Sequence, residues 1–484
     1  MSTDSIIDLF LEISVINSAR MTFMSQQRWM ARYVAVAIIS LASACVSSTE
    51  TVSRDAETLT TGELLEGSPE DVGMSSDRLN RLSNSMQQLI DEGRLAGMTT
   101  MIARHGKIVH FETYGYRDIE AEDVMAKDTI FRIYSMSKPI TGVALMMLYE
   151  EGKFNLSDPV EKYIPEFQGL RTALTDGPDG PILEDSVRPM TIRELMNHTA
   201  GLTYGSFSSS QVDTMYRDRK VLAFDGTLQD MIDRLAEIPL RQQPGTKWHY
   251  SVAVDVQGYL VEVLSGMSFD DFLAERLFEP LGMVDTAFYV PRDEAGRFAQ
   301  LYSYADNGTL IPPAGFGETN LGVIARDEES VVTRYLEPPT FFSGGGGLVS
   351  TTSDYMRFCQ MLLNGGEFEG LRYLSPLTVE LMRQDHLPDG LDDPTPNDGI
   401  RLPPGTGFGL DFAVVNDPIA AETYSRGEYY WMGAAGTWFW IDPVEDLIFI
   451  GMIQQMGQGV PDVRSLSRRL TYQAILKSSK TQWF

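Results

Sequence analysis

A serine and a lysine three residues apart are the first residues of this sequence whose types could do chemistry together. Ser135 and Lys138 occur in FRIYSMSKPITGVALMMLYEEG, residues 131–152. Residues three apart on a helix share a face, with Cβ atoms about 5–6 Å apart. A lysine partly desolvated against an apolar helix can act as the base for a serine nucleophile. A solvated lysine beside a helix-capping serine would produce the same short pattern, so the surrounding sequence has to decide.

The residues after Ser135 predict a helix that begins near it. Its apolar positions have the three- and four-residue spacing of one buried face: Ile140, Val143, Ala144, Met147 and Leu148. Pro139 falls in the first turn, where N–H groups have no intrahelical acceptor and a proline removes no hydrogen bond. Gly152 suits the end of the helix. The Ser135 hydroxyl would then lie at the positive end of the helix dipole, which favours an alkoxide.

Further stretches carry residues that could belong to the same site. PGTKWHYS, residues 244–251, is a turn that places Tyr250 just before a predicted helix. WMGAAGTWFW, residues 431–440, puts small residues before an apolar strand. LMNHTAGL at 195–202 precedes the first of these stretches, and GGGLVST at 345–351 lies between the two. The glycine run 344–347 predicts a conformationally permissive entry to a helix. Taken alone, Tyr250 and Trp431 are better explained as aromatic residues that pack in the core.

In this order the stretches resemble the penicillin-recognising serine hydrolases, from about residue 68 to the C-terminus. These include class C β-lactamases, D-alanyl-D-alanine carboxypeptidases and family VIII carboxylesterases, and the motif pattern is most similar to that of the last group. The resemblance implies an α+β fold, a β-lactamase-like α/β sandwich in which helices flank an antiparallel sheet. Sheet portions are expected at about 68–150 and 346–484, with a mainly helical subdomain inserted at about 151–345.

The resemblance also implies roles for individual residues. Ser135 would be the nucleophile that accepts the acyl group, and Lys138 and Tyr250 would manage its proton, with the choice of general base between them left open. The N–H groups of Ser135 and Ala434 would form the oxyanion hole, which usually supplies the largest single stabilisation of such a transition state. The substrate pocket would be lined by Trp431, Gly433 and Val252.

Two departures from the family pattern favour esters as substrates. Val252 stands where the family has the asparagine of Y-x-N, and Trp431 stands where it has the lysine of K-T-G. In β-lactamases the lysine seats the substrate carboxylate and the asparagine contacts the acylamide. Losing both removes contacts worth about 1–3 kcal/mol each in a desolvated site. The resemblance therefore implies a serine esterase for small to medium carboxylic esters. A β-lactamase or D-alanyl-D-alanine carboxypeptidase, and an inactive binding protein of the same fold, are the alternatives.

Other reactive side chains are interpreted as structural. His198 could suggest a Ser-His-Asp site, but no G-x-S-x-G turn accompanies it, and a buried histidine that fixes a loop is the better interpretation. Cys359 lies in an apolar helical pattern and is predicted to be a core residue. With two cysteines and five scattered histidines the chain has no zinc-ligand spacing. Neither a metal nor an organic cofactor is expected.

The composition limits the partners. The chain has 67 acidic and 39 basic residues and a net charge of −28, so nucleic acid and anionic membrane surfaces are poor partners. Its 484 residues, 43% of them hydrophobic, suffice for a large core. The expected partner is a small-molecule ester.

Residues 1–44 predict an N-terminal extension with an export signal. Arg28 and Arg32 precede a short apolar run, 33–41, and Ala42-Ser43-Ala44-Cys45 follows. This resembles a bacterial lipoprotein signal, whose cleavage leaves an N-terminal cysteine to be acylated. Cys45 is therefore a candidate for lipidation and membrane attachment in the periplasm, with simple secretion as the alternative; the mass of the mature N-terminus would distinguish the two. Residues 45–67 predict a flexible tether before a hydrolase domain at 68–484.

Overall fold

The computed structural model describes residues 64–305, 308–311, 334–388, 391, 400–457 and 459–479. All of them belong to one unit, Thr60–Phe484. The predicted export signal, Cys45 and most of the predicted tether lie outside the described residues and stay predictions. In the described part, no helix combines the length and the apolar character that crossing a membrane requires.

Strands occur near both ends of the described chain and as short pairs between them. In chain order they are β1 (Leu65–Glu66), β2 (Gly97–Arg104), β3 (Lys107–Asp118), β4 (Asp123–Val124), β5 (Ile130–Arg132), β6 (Arg171–Thr175), β7 (Ile182–Asp185), β8 (Ser303–Tyr304), β9 (Leu310–Ile311), β10 (Val349–Thr351), β11 (Glu367–Phe368), β12 (Leu371–Arg372), β13 (Thr406–Phe408), β14 (Ala413–Val415), β15 (Tyr429–Met432), β16 (Trp438–Asp442) and β17 (Leu447–Met452).

Most helices of the described residues lie in the middle of the chain, and the others lie between or after strands of the two ends. In chain order the described helices are α1 (Ser76–Asp91), α2 (Ser137–Glu150), α3 (Ile192–Met196), α4 (Gln211–Asp218), α5 (Leu228–Ala236), α6 (Ala253–Ser265), α7 (Phe269–Leu273), α8 (Glu279–Leu281), α9 (Thr352–Leu363), α10 (Pro376–Met382) and α11 (Val463–Tyr472). A π-helical turn, Ala274–Phe278, joins α7 to α8. The middle of the chain, 151–345, thus contains α3 to α8 and two short hairpins, β6–β7 and β8–β9.

The main sheet joins the two ends of the chain. Its order in the described residues is β1-β3-β2-β17-β16-β15-β14-β13, with β4 paired to β3. β2 pairs with β17, so an N-terminal strand lies beside a C-terminal one, as expected for a chain that leaves the sheet and returns. All neighbours are antiparallel except β1 and β3. The predicted β-lactamase-like sheet flanked by helices is confirmed.

Helices cover both faces of this sheet because successive strand side chains point to opposite sides. Phe439 of β16 packs against Tyr355 of α9, with ring centroids 5.1 Å apart. The next residue, Trp440, faces Tyr472 of α11 at 6.5 Å. Every residue of β16 and β17 is buried, which explains why these strands read as continuous apolar runs.

The helix after Ser135 differs from its prediction in two ways. It begins at Ser137, and a 3₁₀ turn, Tyr134–Met136, holds Ser135 just ahead of it. The predicted single buried face is wrong, because every residue from Ser137 to Leu148 is buried. A helix that is enclosed by the protein on all sides has no polar face to present. Its packing against α6 contributes to this burial.

Candidate active site

Ser135 lies on a turn of strained backbone. Tyr134 has a φ of 41°, in the left-handed region that bulky side chains rarely adopt, at a cost of about 1–3 kcal/mol. The turn is held by its neighbours: the Ile133 N–H donates to the Leu348 carbonyl at 3.1 Å, next to the pairing of β5 with β10. Ser135 is partly exposed and lines a cavity of about 340 Å³. The strain therefore presents a serine hydroxyl to a site of ligand size.

Lys138 is fully buried and uses its ammonium entirely within the protein. Its Nζ donates to the Ser135 Oγ at 3.3 Å, to the Tyr204 hydroxyl at 2.9 Å and to the Gly345 carbonyl at 2.6 Å. An ammonium group has three donors, so all three are engaged. This geometry excludes a solvated surface lysine, the simpler explanation of the serine–lysine spacing.

Two buried carboxyl groups face the charge of Lys138. Burial raises the pKa of Asp255 and raises that of Asp411 well above its usual range, while the Lys138 charge acts in the opposite direction on both. The Asp255 Oδ1 accepts hydrogen bonds from the Ser343 hydroxyl at 2.5 Å and from the Gly345 N–H at 3.1 Å. Asp255 thereby holds Gly345, the residue whose carbonyl accepts from Lys138.

Two tyrosines flank the lysine. The Lys138 Nζ lies 4.6 Å from the ring centroid of Tyr250, and the ring centroids of Tyr250 and Tyr204 are 5.3 Å apart. Burial, followed by the nearby Tyr250 and Asp255, raises the pKa of Tyr204 well above its usual value. The sequence analysis missed Tyr204. Its only available signal was its place two residues after the LMNHTAGL stretch.

His198 supports the segment that carries Tyr250. It is buried with a φ of 60°, its Nδ1 lies 3.2 Å from the Ser251 Oγ, and its carbonyl accepts from the His249 N–H at 2.9 Å. Burial, then the charges of Lys138 and His249, lower the pKa of His198 well below its usual value. A neutral histidine that fixes a loop agrees with the structural interpretation made from the sequence.

The turn between β15 and β16 approaches Ser135 from the other side. The Gly433 N–H donates to the Thr437 carbonyl at 2.8 Å, and the Thr437 hydroxyl donates to the Ile133 carbonyl at 3.3 Å. A Cβ at Gly433 would collide with that same Ile133 carbonyl, so the close approach requires glycine. Ala434 follows, exposed to the cavity, and among the described residues its N–H has no hydrogen-bond acceptor.

The structure brings most of the predicted site residues to one cavity. Its lining includes Ser135, Tyr250, Trp431, Gly433 and Ala434. Lys138 lies beneath this lining, and Val252 does not reach it. Val252 is buried at the start of α6, where its N–H donates to the Thr203 carbonyl at 3.3 Å. The polar lining residues that the sequence analysis missed include Tyr204, Arg334, Arg401 and Arg464.

Two further predictions concern metals and cysteine. The described residues contain no group of three or more His, Cys, Asp or Glu side chains placed to hold a metal ion. Cys359 lies within α9, fully buried, as predicted. Burial raises the pKa of its thiol well above the usual value, which makes it a poor nucleophile.

Comparison with known proteins identifies the family. The sequence model of the family described as Beta-lactamase matches residues 82–473. This chain belongs to the beta-lactamase family. The resemblance inferred from the motifs is thereby confirmed.

Relatives of known name within the beta-lactamase family are similar over most of the chain. Esterase EstB of Burkholderia gladioli is 32% identical over 373 residues, covering 74% of this chain and 86% of EstB. The uncharacterized protein MT1414 of Mycobacterium tuberculosis (strain CDC 1551 / Oshkosh) is 36% identical over 378 residues, covering 76% and 88%. The solved structure of "EstCE1, a hydrolase with promiscuous acyltransferase activity" is 28% identical, with a TM-score of 0.67, covering 83% of this chain and 99% of EstCE1. The family and its relatives indicate a serine hydrolase of esterase, acyltransferase or peptidase type.

Proposed function

We propose that this protein is a carboxylesterase that cleaves small to medium carboxylic esters through an acyl-enzyme on Ser135. The observation that carries the proposal is the placement of the Ser135 Oγ, 3.3 Å from the buried Lys138 Nζ and at the wall of a cavity of about 340 Å³. Similarity to a protein named as an esterase, EstB, supports it.

The geometry suits a two-step acyl transfer. The Ser135 Oγ attacks the ester carbonyl carbon while its proton passes to one general base, either Tyr250 as a phenolate beside the Lys138 ammonium or Lys138 as the free amine. That base then gives the proton to the alcohol oxygen as the C–O bond breaks. Water then attacks the acyl-serine, releases the acid and returns the serine hydroxyl. The N–H groups of Ser135 and Ala434 would hold the oxyanion in each step, and one such donor is typically worth about 10²–10³-fold in kcat.

Trp431 favours an ester over a β-lactam. It is buried at the position of the K-T-G lysine, with its ring centroid 5.6 Å from that of Tyr250 and 5.3 Å from that of Phe408. An indole at this position gives the acyl group an apolar wall in place of a cation for the carboxylate of a β-lactam.

Covalent labelling tests the nucleophile. A fluorophosphonate should form an adduct on Ser135, and Ser135→Ala should lower turnover of p-nitrophenyl butyrate by about 10³-fold or more. Ser137 and Ser251 are internal controls, because both are buried and hydrogen-bonded, Ser137 to the Leu348 N–H and Ser251 to His198. Intact-mass measurement and peptide mapping locate the adduct.

Three other outcomes would contradict the proposal. An adduct on Ser137 or Ser251 would make the nucleophile assignment wrong. Hydrolysis of a cephalosporin as fast as that of p-nitrophenyl butyrate would favour a β-lactamase. Neither turnover nor label would favour a binding protein of this fold.

A further inference from the structure

In the part of the chain that the structure describes, the charged side chains that line the active-site cavity are all cationic. Arg334, Arg401 and Arg464 line it, and none of its described lining residues is an Asp or a Glu. The chain as a whole has 67 acidic residues against 39 basic ones. A cavity of this charge in so acidic a protein concentrates positive potential where the substrate binds.

Arg464 contacts the strand that leads into the turn that carries Ala434. It lies on α11, is partly buried and contacts the Sδ of Met432, the residue before Gly433. Arg468, one turn further along α11, forms an ion pair with Glu428 at 2.9 Å, whereas no described carboxylate lies within ion-pair distance of Arg464. The Asp462 carboxylate opposes the lowering of the Arg464 pKa that burial causes, but it forms no ion pair with Arg464. A partly desolvated guanidinium without an ion-pair partner costs free energy, and a bound anion would offset this cost.

The other two arginines are also free of carboxylate partners in the described residues. The guanidinium carbon of Arg334 lies 3.4 Å from the ring centroid of Phe224 and 4.8 Å from that of Tyr335, and its Nη2 lies 3.3 Å from the Tyr335 hydroxyl. Stacking holds the guanidinium plane and leaves other N–H donors for a ligand. Arg401 is exposed at the cavity.

We propose that the ester this enzyme cleaves carries a carboxylate, bound by the arginines of the cavity; the inference rests on the proposed esterase function. Guanidinium groups bind carboxylates through paired N–H donors, which gives both affinity and orientation. The carboxylate belongs to a part of the substrate remote from the scissile carbonyl, because the carbonyl has to lie at Ser135 beside the uncharged Trp431. The substrate class is therefore an anionic ester, in place of the neutral ester expected from the loss of the K-T-G lysine.

A matched pair of substrates tests the carboxylate. Mono-p-nitrophenyl adipate carries it, and p-nitrophenyl methyl adipate has the same chain with the carboxylate masked as an ester. The kcat/KM for the anionic ester should be about 10-fold or more above that for its neutral partner, and Arg464→Gln or Arg334→Gln should each lower this ratio by about 5-fold or more. The matched control is Arg81→Gln, an exposed α1 arginine bonded to Gln473, which should leave the ratio unchanged.

The outcomes separate this inference from the esterase function. Turnover of both esters with a ratio near one, unmoved by the arginine substitutions, overturns the carboxylate site and leaves the esterase standing. Turnover of neither ester overturns the esterase, and titration calorimetry of Ser135→Ala with the same two compounds then decides the carboxylate site. Tighter binding of the anionic ester, lost in Ser135→Ala/Arg464→Gln, supports the site; equal binding overturns it.

Discussion

The ammonium group of Lys138 is shared among three acceptors, and this sharing sets how the site can move a proton. One hydrogen bond goes to the Ser135 Oγ, one to the Tyr204 hydroxyl and one to the Gly345 carbonyl. Ser135 and Lys138 could be predicted as neighbours because residues three positions apart on a helical turn are close in any fold. Tyr204 lies 66 residues further along the chain, and no local pattern shows that its loop returns to the lysine.

Substitution at the lysine and the two tyrosines should distinguish their roles. Lys138→Ala and Tyr250→Phe should each lower kcat strongly, by about 10²-fold or more, and the double variant should lose much less than the product of the two. Tyr204→Phe removes one of three acceptors and should lower kcat by only about 3–30-fold, with a changed pH profile. Steady-state kinetics with p-nitrophenyl butyrate across pH measure these effects.

Two results would change the assignment. Fully multiplicative losses for Lys138→Ala and Tyr250→Phe would show that the two groups do not act as one unit. A loss in Tyr204→Phe as large as that in Tyr250→Phe would make Tyr204 the partner of the lysine in the proton path.

At the scale of elements, the glycine run before β10 is needed for a physical reason different from the one predicted from the sequence. Its four residues were predicted to supply backbone freedom, yet none of 344–347 has a φ in the left-handed region. The structure requires small residues there for close packing. A Cβ on Gly344 would lie 2.6 Å from the Val254 carbonyl oxygen, and one on Gly345 would lie 2.5 Å from the Asp255 Oδ2. The sequence shows the glycines but not the helix that presses against them.

This packing predicts that alanine substitutions at two adjacent glycines differ in their effect on stability. Gly345→Ala would crowd the buried Asp255 and place its Cβ 2.9 Å from the Tyr204 hydroxyl, so it should lower the free energy of unfolding by about 1–3 kcal/mol and lower kcat. Gly346→Ala is the matched control for stability, because its nearest neighbour, the Tyr134 carbonyl carbon, lies at 3.6 Å. Its free energy of unfolding should change by less than about 0.5 kcal/mol. Urea unfolding of both variants checks this, and equal destabilisation would refute the packing argument.

For the whole molecule, the sequence predicted the sheet better than the cavity. Strands such as β2 and β17 have strong apolar patterns of their own, so their presence and their common sheet follow from local sequence and from the resemblance. The side chains that meet at the cavity come from distant segments, among them Arg334 and Arg464, and no periodicity relates them. The net charge of the chain also did not predict the charge of the cavity. The sequence has 67 acidic residues, but none of them is in the described lining of the cavity.

Histidines in several parts of the molecule make its stability depend on pH. Burial is the largest cause that lowers the pKa of His110 and of His249 to about 4, and it also lowers that of His198 and His386. In the unfolded chain a histidine has a pKa of about 6.5. Between pH 4 and pH 6.5 the folded state binds fewer protons than the unfolded state. The stability that the neutral histidines allow is therefore present above pH 6.5 and is lost as the pH falls toward 4.

His110 allows this effect to be isolated. It lies on β3 with its Nε2 2.7 Å from the Thr100 Oγ1, and Lys127 adds to the lowering of its pKa. The unmodified protein should lose about 2 kcal/mol of its free energy of unfolding between pH 7 and pH 5 through His110, because this histidine is protonated only in the unfolded chain. A glutamine does not titrate, so His110→Gln should not have this loss.

The two proteins have to be compared at each pH because buried carboxyl groups have the opposite effect. Burial raises the pKa of Asp354 to about 6, so that group stabilises the fold as the pH falls through 6. Urea unfolding of both proteins at pH 7, 6 and 5 measures the difference. If His110→Gln also stays parallel, the buried imidazole does not limit stability in acid.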